Sequence, residues 1–214
     1  ADGWASAQAA TQFKGAGSSH ELAALMLTES IQHSIHVAKK PLFVLLLDAK
    51  SAFDKVVREC AIRSAYLAGT HGHGLIYINS RLENRKTYVE WDKTMMGPIN
   101  DKLGVEQGGV ISDRIYKLSN NTQLSSAQNS GLGVDLGSSV VSSIGFVDDT
   151  GHLSDSLPKL AGLLHLTQEY CRKYHVELVP DKTKLLVFAP NKQSLDLYLH
   201  KLQNPFIMGG KALE

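Results

Sequence analysis

Aspartates that could hold a metal ion follow two apolar stretches of this sequence. Asp48 comes directly after residues 41–47, and Asp148 and Asp149 come directly after residues 140–147. Carboxylates held close together repel one another unless a cation neutralises them. Oxygen ligands of this kind suit Mg²⁺, which usually takes one or two carboxylates together with substrate phosphates. If the two stretches are neighbours in one sheet, the sequence predicts a metal-dependent phosphoryl-transfer site at its edge.

Both apolar stretches are typical of β-strands. Residues 41–47 are too few to cross a membrane and indicate a buried strand. Residues 140–147 predict a second strand, and Asp148 and Asp149 would form the tight turn of a hairpin, because Asp tolerates turn geometry. The apolar Leu153 then indicates the returning strand.

The remaining pattern interleaves helices with strands. Helical spacing of apolar residues predicts helices over residues 18–39, 56–67, 75–82, 111–124, 157–174 and 194–202. Further strands are expected over residues 85–91, 131–136 and 184–188, with Pro98 ending the region after the first of these. Residues 119–130 are rich in Ser, Asn and Gln and predict a fraying helix end and a loop. The order favours an α+β sheet with helices on one face over a doubly wound parallel sheet.

Composition excludes several classes of protein. The chain has 214 residues, 43% of them hydrophobic, which is enough for one large domain or two small ones. The net charge of +1 provides no overall basic field for nucleic-acid binding. The two cysteines, Cys60 and Cys171, form no zinc-binding pattern. Without a signal peptide or a spanning apolar run, we expect no membrane association and an intracellular location, nuclear or cytoplasmic.

Five segments resemble, in order, the conserved segments of reverse transcriptases. Residues 48–54 (DAKSAFD) resemble motif A, 104–112 (GVEQGGVIS) motif B, 146–149 (FVDD) motif C and 179–184 (VPDKTK) motif D. Residues 12–19 (QFKGAGSS) are similar to the segment that precedes motif A in enzymes of non-LTR (LINE-type) retrotransposons and group II introns. Each match alone is weak, but together and in order they indicate this family, most like its non-LTR branch.

The resemblance implies the palm of a right-hand polymerase, a ferredoxin-like antiparallel sheet with helices on one face, plus partial fingers. Residues 1–40 would form a lead-in and a partial fingers helix, and residues 41–214 the palm, with a fingers insertion at about residues 69–106. The basic fingers strands and the thumb would lie elsewhere in a parent polyprotein. We therefore expect an RNA-directed DNA polymerase that is poorly active as this fragment, with an RNA template, a DNA primer and deoxynucleoside triphosphates as partners.

The resemblance also assigns the metal ligands. Asp48 and Asp148 would hold two Mg²⁺ (or Mn²⁺) ions, with Asp149 as an auxiliary ligand and the backbone carbonyl of Ala49 as a further one. Two such ions stabilise both the attacking 3′-hydroxyl and the leaving pyrophosphate. Lys182 would neutralise or protonate that pyrophosphate. Lys184 is the alternative for this role.

Besides Ala49, four residues are expected to contact the substrates. Phe53 lies at the position of the steric gate, where an aromatic ring would collide with a ribonucleotide 2′-hydroxyl; a core aromatic is the alternative. Gln107 would hydrogen-bond the incoming nucleotide or the template, and Gly108 would let the backbone approach it, unless this is an ordinary glycine loop. Phe146 would pack against the primer end, although it also suits a hairpin strand.

Other functions remain open from the sequence. The first alternative is a catalytically weak domain, derived from a reverse transcriptase, that acts in nucleic-acid or protein binding. A phosphotransferase with Asp48 as covalent nucleophile would need a second acid where Lys50 stands. An RNA-dependent RNA polymerase shares the palm, but Phe53 would obstruct its ribonucleotides.

Overall fold

The computed structural model describes residues 20–83, 85–100, 102–106, 109, 111–137, 139–146, 148–201, 207–208 and 211–212. The segment predicted to precede motif A (residues 12–19), Gln107, Gly108 and the side chain of Phe146 lie outside the described part of the chain. Their predicted roles therefore stay predictions.

Helices and strands alternate along the described residues. The helices are α1 (His20–Gln32), α2 (Arg58–Leu67), α3 (His73–Leu82), α4 (Ser112–Asn129), α5 (Leu157–Tyr174) and α6 (Lys192–Lys201). The strands are β1 (Leu42–Leu47), β2 (Lys86–Trp91), β3 (Thr94–Asn100), β4 (Val134–Asp135), β5 (Val140–Val141), β6 (Ser143–Phe146), β7 (Asp149–Ser154), β8 (Lys184–Phe188), β9 (Ile207–Met208) and β10 (Lys211–Ala212). A π-helical turn (His33–Val37) extends α1, and a 3₁₀ turn (Pro180–Lys182) precedes β8.

Strand β1 lies inside a four-stranded antiparallel sheet whose order is β6-β7-β1-β8. Successive side chains of a strand point to opposite faces, and every side chain of β1 except that of Leu46 is buried. Phe43, Leu45 and Leu47 pack with leucines of α5, whereas Leu42 and Val44 belong to a cluster that contacts α1. This two-sided burial explains why the strand is a continuous apolar run. The predicted α+β class with an antiparallel sheet is confirmed.

The order of strands in the sheet differs from the expected one. The strand beside β1 is β7, the returning strand of the hairpin, and not β6. The predicted strand over residues 140–147 is interrupted at Ser142, where β5 pairs with β4 and β6 pairs with β7. The hairpin turn still adjoins the end of β1, because β7 begins at Asp149.

The predicted ends of two secondary-structure regions were wrong. The polar stretch over residues 119–130 continues α4 to Asn129, because Leu124 and Ala127 are buried and neighbouring polar groups bond its glutamines. Pro98 lies within β3 and does not end the region. The β2–β3 ribbon has only two strands and a register shift between Thr87 and Val89, and a proline without a backbone donor is tolerated at such an irregular edge.

The chain divides into two compact units. One comprises Ser51–Ser119, and the other comprises Asp2–Lys50 together with Asn120–Glu214. The four-stranded sheet belongs entirely to the second unit, whereas the β2–β3 ribbon belongs to the first. The assignment of palm and fingers to particular residue ranges stays a prediction. Within the described residues, none of the helices has the length and apolar character needed to span a membrane.

His152 on β7 is completely buried in the second unit. Its Nδ1 lies 2.7 Å from the Ser143 hydroxyl and its Nε2 lies 2.6 Å from the Thr167 hydroxyl. Burial lowers the pKa of the imidazole from 6.5 to about 4, and the Ser142 backbone opposes this shift. The ring is therefore neutral in the folded protein at neutral pH.

We expect acid to destabilise the fold through His152. Its pKa is lower in the folded than in the unfolded state, so stability is unaffected above pH 6.5 and falls as the unfolded chain takes up a proton between pH 6.5 and 4. The loss is on the order of 3 kcal/mol. Urea unfolding at pH 7.5 and 4.5 measures it, with His152→Gln as the comparison. If both proteins lose the same stability, the imidazole is not the source.

Candidate active site

The backbone around Asp48 is fixed by the segment that precedes β8. The Asp48 carbonyl accepts a hydrogen bond from the Val179 N–H at 2.9 Å, and the Lys50 N–H donates to the Glu177 carbonyl at 2.7 Å. These bonds flank an antiparallel bridge between Ala49 and Leu178. Asp48 is therefore held at the end of β1 by strand pairing that continues beyond the strand itself.

The same bridge sets the direction of the Ala49 carbonyl. Its two flanking hydrogen bonds make Ala49 and Leu178 a non-hydrogen-bonded pair. In such a pair the residue's own N–H and C=O point away from the partner strand. The segment with Leu178 lies on the β8 side of β1, so the Ala49 carbonyl is directed to the β7 side, where the Asp148–Asp149 turn lies.

Asp48 and Asp149 occupy corresponding positions on adjacent strands. The last pair between β1 and β7 is Leu47 with Thr150, so Asp48 follows that pair on one strand and Asp149 precedes it on the other. Asp149 also pairs with Phe146 at the end of the hairpin, and Asp148 lies in the turn between them. Antiparallel register thus brings Asp48 to the Asp148–Asp149 pair, which is distant from it in sequence.

The pKa of Asp149 reflects the proximity of the three carboxylates. Partial burial raises the pKa of the Asp149 carboxyl, and the charges of Asp148 and Asp48 raise it further, while Lys182 lowers it. The Lys182 ammonium lies 3.3 Å from Oδ2 of Asp48. The structure therefore places Asp48, Asp148, Asp149 and Lys182 at one end of the sheet.

This group of side chains fits a hard cation in its donor chemistry. In the part of the chain that the structure describes, no three His, Cys, Asp or Glu side chains stand in the arrangement of a preformed metal centre. The crowded carboxylates nevertheless favour a positive charge among them. One positive charge, the Lys182 ammonium, already lies against Asp48. Carboxylate and backbone carbonyl oxygens are the ligands that Mg²⁺ prefers.

Lys182, the first of the two candidate lysines, forms an ion pair with Asp48. It belongs to the 3₁₀ turn before β8 and its side chain is 67% exposed, which leaves the ammonium free to move. Lys184 begins β8 and lies opposite Leu46, inside the ladder with β1.

Phe53 lies in the unit formed by Ser51–Ser119, on the turn that follows the motif A aspartate. Its ring stacks on Tyr116 of α4, with centroids 5.0 Å apart and planes inclined by 27°. The Val105 N–H donates to the Phe53 carbonyl at 2.8 Å. Phe53 is half-buried, so one side of the ring is supported and part of its surface remains open.

Arg58 holds the loop that leads into motif B. Its guanidinium is buried and donates to three backbone carbonyls, those of Leu82 at 2.9 Å, Leu103 at 2.7 Å and Gly104 at 2.9 Å. Gly104 has a φ of +80°, and a Cβ there would lie 2.7 Å from the Asp54 carbonyl oxygen, so only glycine fits. Sequence reasoning missed Arg58, although a charged residue on the predicted helix directly after Val56 and Val57 was a usable signal.

We expect Arg58→Met to destabilise the protein by about 3 kcal/mol, because three carbonyls would lose their donor, two of them in buried hydrogen bonds. Arg58→Lys should recover only part of the loss, since an ammonium cannot reproduce the planar guanidinium fork. Denaturant unfolding measures both. Arg63→Met, at an exposed position of the same helix, is the matched control. Equal stability of the Arg58 and Arg63 variants would contradict a structural role for the clamp.

Comparison with known proteins decides the family. The family model described as reverse transcriptase (RNA-dependent DNA polymerase) matches residues 9–204. The chain belongs to the reverse transcriptase family. The sequence-based recognition of that family is thus confirmed, whereas its non-LTR branch stays a prediction. A search of curated proteins gives no match to this reverse transcriptase chain.

Solved structures of similar fold include telomerases. Apo telomerase from Candida tropicalis matches with a TM-score of 0.59 at 14% identity, over 84% of this chain and 33% of that one. The complex of that telomerase with a TWJ fragment of telomeric RNA gives 0.60 at 14% identity, over 83% and 30%. The corresponding Candida albicans complex gives 0.50 at 14%, over 86% and 32%. This chain spans about a third of each telomerase, and at this identity the likeness concerns the fold alone.

Proposed function

We propose that this chain carries the catalytic centre for RNA-templated DNA synthesis, in which a deoxynucleoside triphosphate is joined to the 3′-hydroxyl of a DNA primer. The observation that carries the proposal is the convergence of Asp48, Asp148 and Asp149 beside Lys182 at one end of a sheet in a reverse transcriptase. A purely structural turn would not need three mutually repelling carboxylates. Such a site suits a reaction whose substrate brings cations with it.

Asp48 and Asp148 would hold two Mg²⁺ (or Mn²⁺) ions, with Asp149 as auxiliary ligand and the Ala49 carbonyl as a backbone ligand. When bound, the ions would supply charge neutralisation at the attacking hydroxyl and the leaving pyrophosphate. The raised pKa of Asp149 and the direction of the Ala49 carbonyl support this ligand set. Catalysis of this type rests mainly on positioning and electrostatic stabilisation.

Further side chains of the chain would handle the substrates. The Lys182 ammonium would leave Asp48 for the pyrophosphate, where it would neutralise charge or donate a proton to the oxygen that separates from the α-phosphorus. Phe53 would exclude ribonucleotides by contact with the sugar, with Tyr116 supporting the ring from behind. Gln107, Gly108 and Phe146 would contact the nucleotide, the template and the primer end.

The proposed partners are an RNA template, a DNA primer and deoxynucleoside triphosphates. The proposed location of the protein is intracellular. Membership of a family of RNA-dependent DNA polymerases supports these partners. Telomerases of the same fold have been solved with a fragment of telomeric RNA, which supports a nucleic-acid ligand for this fold. An origin in a non-LTR retrotransposon polyprotein remains part of the proposal.

A binding domain without catalysis is the second candidate. The β2–β3 ribbon favours it, because Tyr88, Trp91 and Met95 are all more than half exposed there. Exposed apolar patches of this kind mark interaction surfaces. A domain that only binds, however, gains nothing from three adjacent carboxylates.

Primer extension on the purified chain separates the two candidates. With a primed RNA template, the four deoxynucleoside triphosphates and Mg²⁺, we expect short extension products that disappear when EDTA is added. Binding of the primed template is measured in parallel by fluorescence anisotropy. Retained binding with no nucleotide added in either Mg²⁺ or Mn²⁺ would instead support the binding domain.

A further inference from the structure

The hairpin that presents Asp148 and Asp149 is attached to two helices by polar side chains inside the core. Ser143 on β6 and His152 on β7 lie opposite one another in the ladder, and both are completely buried. On its other side the imidazole bonds Thr167 of α5, and Gln123 of α4 donates to the same Thr167 hydroxyl at 3.1 Å. A chain of hydrogen bonds therefore runs from the hairpin to α5 and α4.

In one arrangement, each hydroxyl and imidazole hydrogen of this hydrogen-bond chain has an acceptor. Thr167 donates its hydroxyl hydrogen to the Leu163 carbonyl at 3.1 Å. The Nε2–H of His152 then donates to the Thr167 oxygen, and Nδ1 accepts from the Ser143 hydroxyl. The neutral imidazole that burial favours is the form that this arrangement requires.

A second polar contact ties α4 to the same region of the sheet. The Gln128 side-chain amide donates to the Val140 carbonyl and accepts from the Ser142 N–H at 3.2 Å. It thus bonds the backbone where β5 ends and β6 begins. The polar half of α4, which the sequence assigned to a fraying end, holds the strand that leads to Asp148.

Buried hydrogen bonds of this kind specify position more than they add stability. A buried polar group that loses its partner costs free energy, whereas apolar replacement of both partners can be neutral. A slip of one residue between β6 and β7 would move Ser143 to the other face and leave His152 unpaired. The same slip would shift Asp148 and Asp149 relative to Asp48. The hydrogen bonds of Ser143, His152 and Thr167 therefore disfavour a shifted β6–β7 register, in which Asp148 and Asp149 would be displaced from Asp48.

We propose that His152 is a positioning residue for the carboxylate site, acting through Ser143 and Thr167 to fix the β6–β7 hairpin. The proposal rests on the proposed function, because it concerns the geometry of the same three aspartates. His152 lies three residues after Asp149, and it touches neither substrate nor metal in this role.

Replacing Ser143, His152 and Thr167 together with apolar residues tests the positioning role. The triple variant Ser143→Ala, His152→Leu, Thr167→Val keeps the core filled and removes the hydrogen bonds together. We expect near-normal stability in urea, but hydrogen exchange of the β6 and β7 amides at least tenfold faster. We also expect a tenfold higher Mg²⁺ concentration for half-maximal nucleotide incorporation, with KM for the nucleotide little changed.

Two further variants serve as rescue and control. His152→Gln can accept from Ser143 and donate to Thr167, and should restore most of the exchange protection and the Mg²⁺ dependence. His165→Leu makes a similar change at an exposed position of α5 and should alter neither. If the triple variant does not fold, Thr167→Val and Thr167→Ser replace it, because only serine keeps the hydroxyl.

Wild-type exchange and Mg²⁺ dependence in the apolar variant, or identical behaviour of Thr167→Val and Thr167→Ser, would overturn the positioning role. The proposed function fails separately, if the wild-type chain adds no nucleotide. In that case hydrogen exchange of the hairpin still decides whether His152 positions it.

Discussion

Replacing Asp148 with alanine is expected to abolish Mg²⁺-dependent nucleotide incorporation, with a loss of at least about 1000-fold. Metal ligation at a transferring phosphoryl group stabilises the transition state by several kcal/mol, and each 1.36 kcal/mol is worth about tenfold in rate. Asp148 is an exposed residue of the hairpin turn, so its removal should cost the fold little. A large loss of rate with unchanged stability would therefore identify a chemical role.

The experiment compares Asp148→Ala with Asp196→Ala. Asp196 is an exposed aspartate on α6, and its replacement removes the same charge away from the site. Both variants are assayed by primer extension over a range of Mg²⁺ and Mn²⁺ concentrations, and by thermal unfolding. If Asp148→Ala keeps its activity, the metal ligands have been assigned wrongly. If both variants lose activity equally, net charge and not ligation is responsible.

Replacing Phe53 with valine is expected to raise ribonucleotide incorporation, relative to deoxynucleotides, by about 10- to 100-fold. Forcing extra atoms into an occupied space costs about 1–3 kcal/mol, which corresponds to that range of rates. The stack on Tyr116 supports a large effect, since a ring held from behind cannot move away from a 2′-hydroxyl. Valine removes the aromatic ring and with it the stacking contact on Tyr116.

Single-nucleotide incorporation with matched ribo- and deoxynucleotides measures the ratio of kcat/KM. Phe53→Tyr keeps the ring and should keep the discrimination, which separates the shape of the wall from the identity of the residue. Unfolding of each variant shows whether valine merely weakens the packing on Tyr116. An unchanged ratio in a folded Phe53→Val protein would mean that Phe53 is a packing aromatic of its own unit and no gate.

Much of this architecture could be predicted from local patterns. The helix Leu157–Tyr174 and the strand Lys184–Phe188 have the predicted bounds, because apolar periodicity is strong in both. The end of α4 could not be predicted in this way. Its Ser, Asn and Gln residues favour loops on their own, and only the partners supplied by Thr167 and the β5–β6 backbone make them helical.

For the candidate site, too, some features follow from the sequence and others only from the tertiary structure. The sequence by itself determined the family, and it predicted the aspartates of the candidate site, because Asp48 and the Asp148–Asp149 pair follow strands in a recognisable order. Tertiary structure alone decided that β7 is the neighbour of β1, that Lys182 pairs with Asp48, and that His152 bonds Ser143 and Thr167. The physical reason is that periodicity reports which face of an element is apolar. Antiparallel register and buried hydrogen bonds join residues far apart in the chain, and no local pattern contains them.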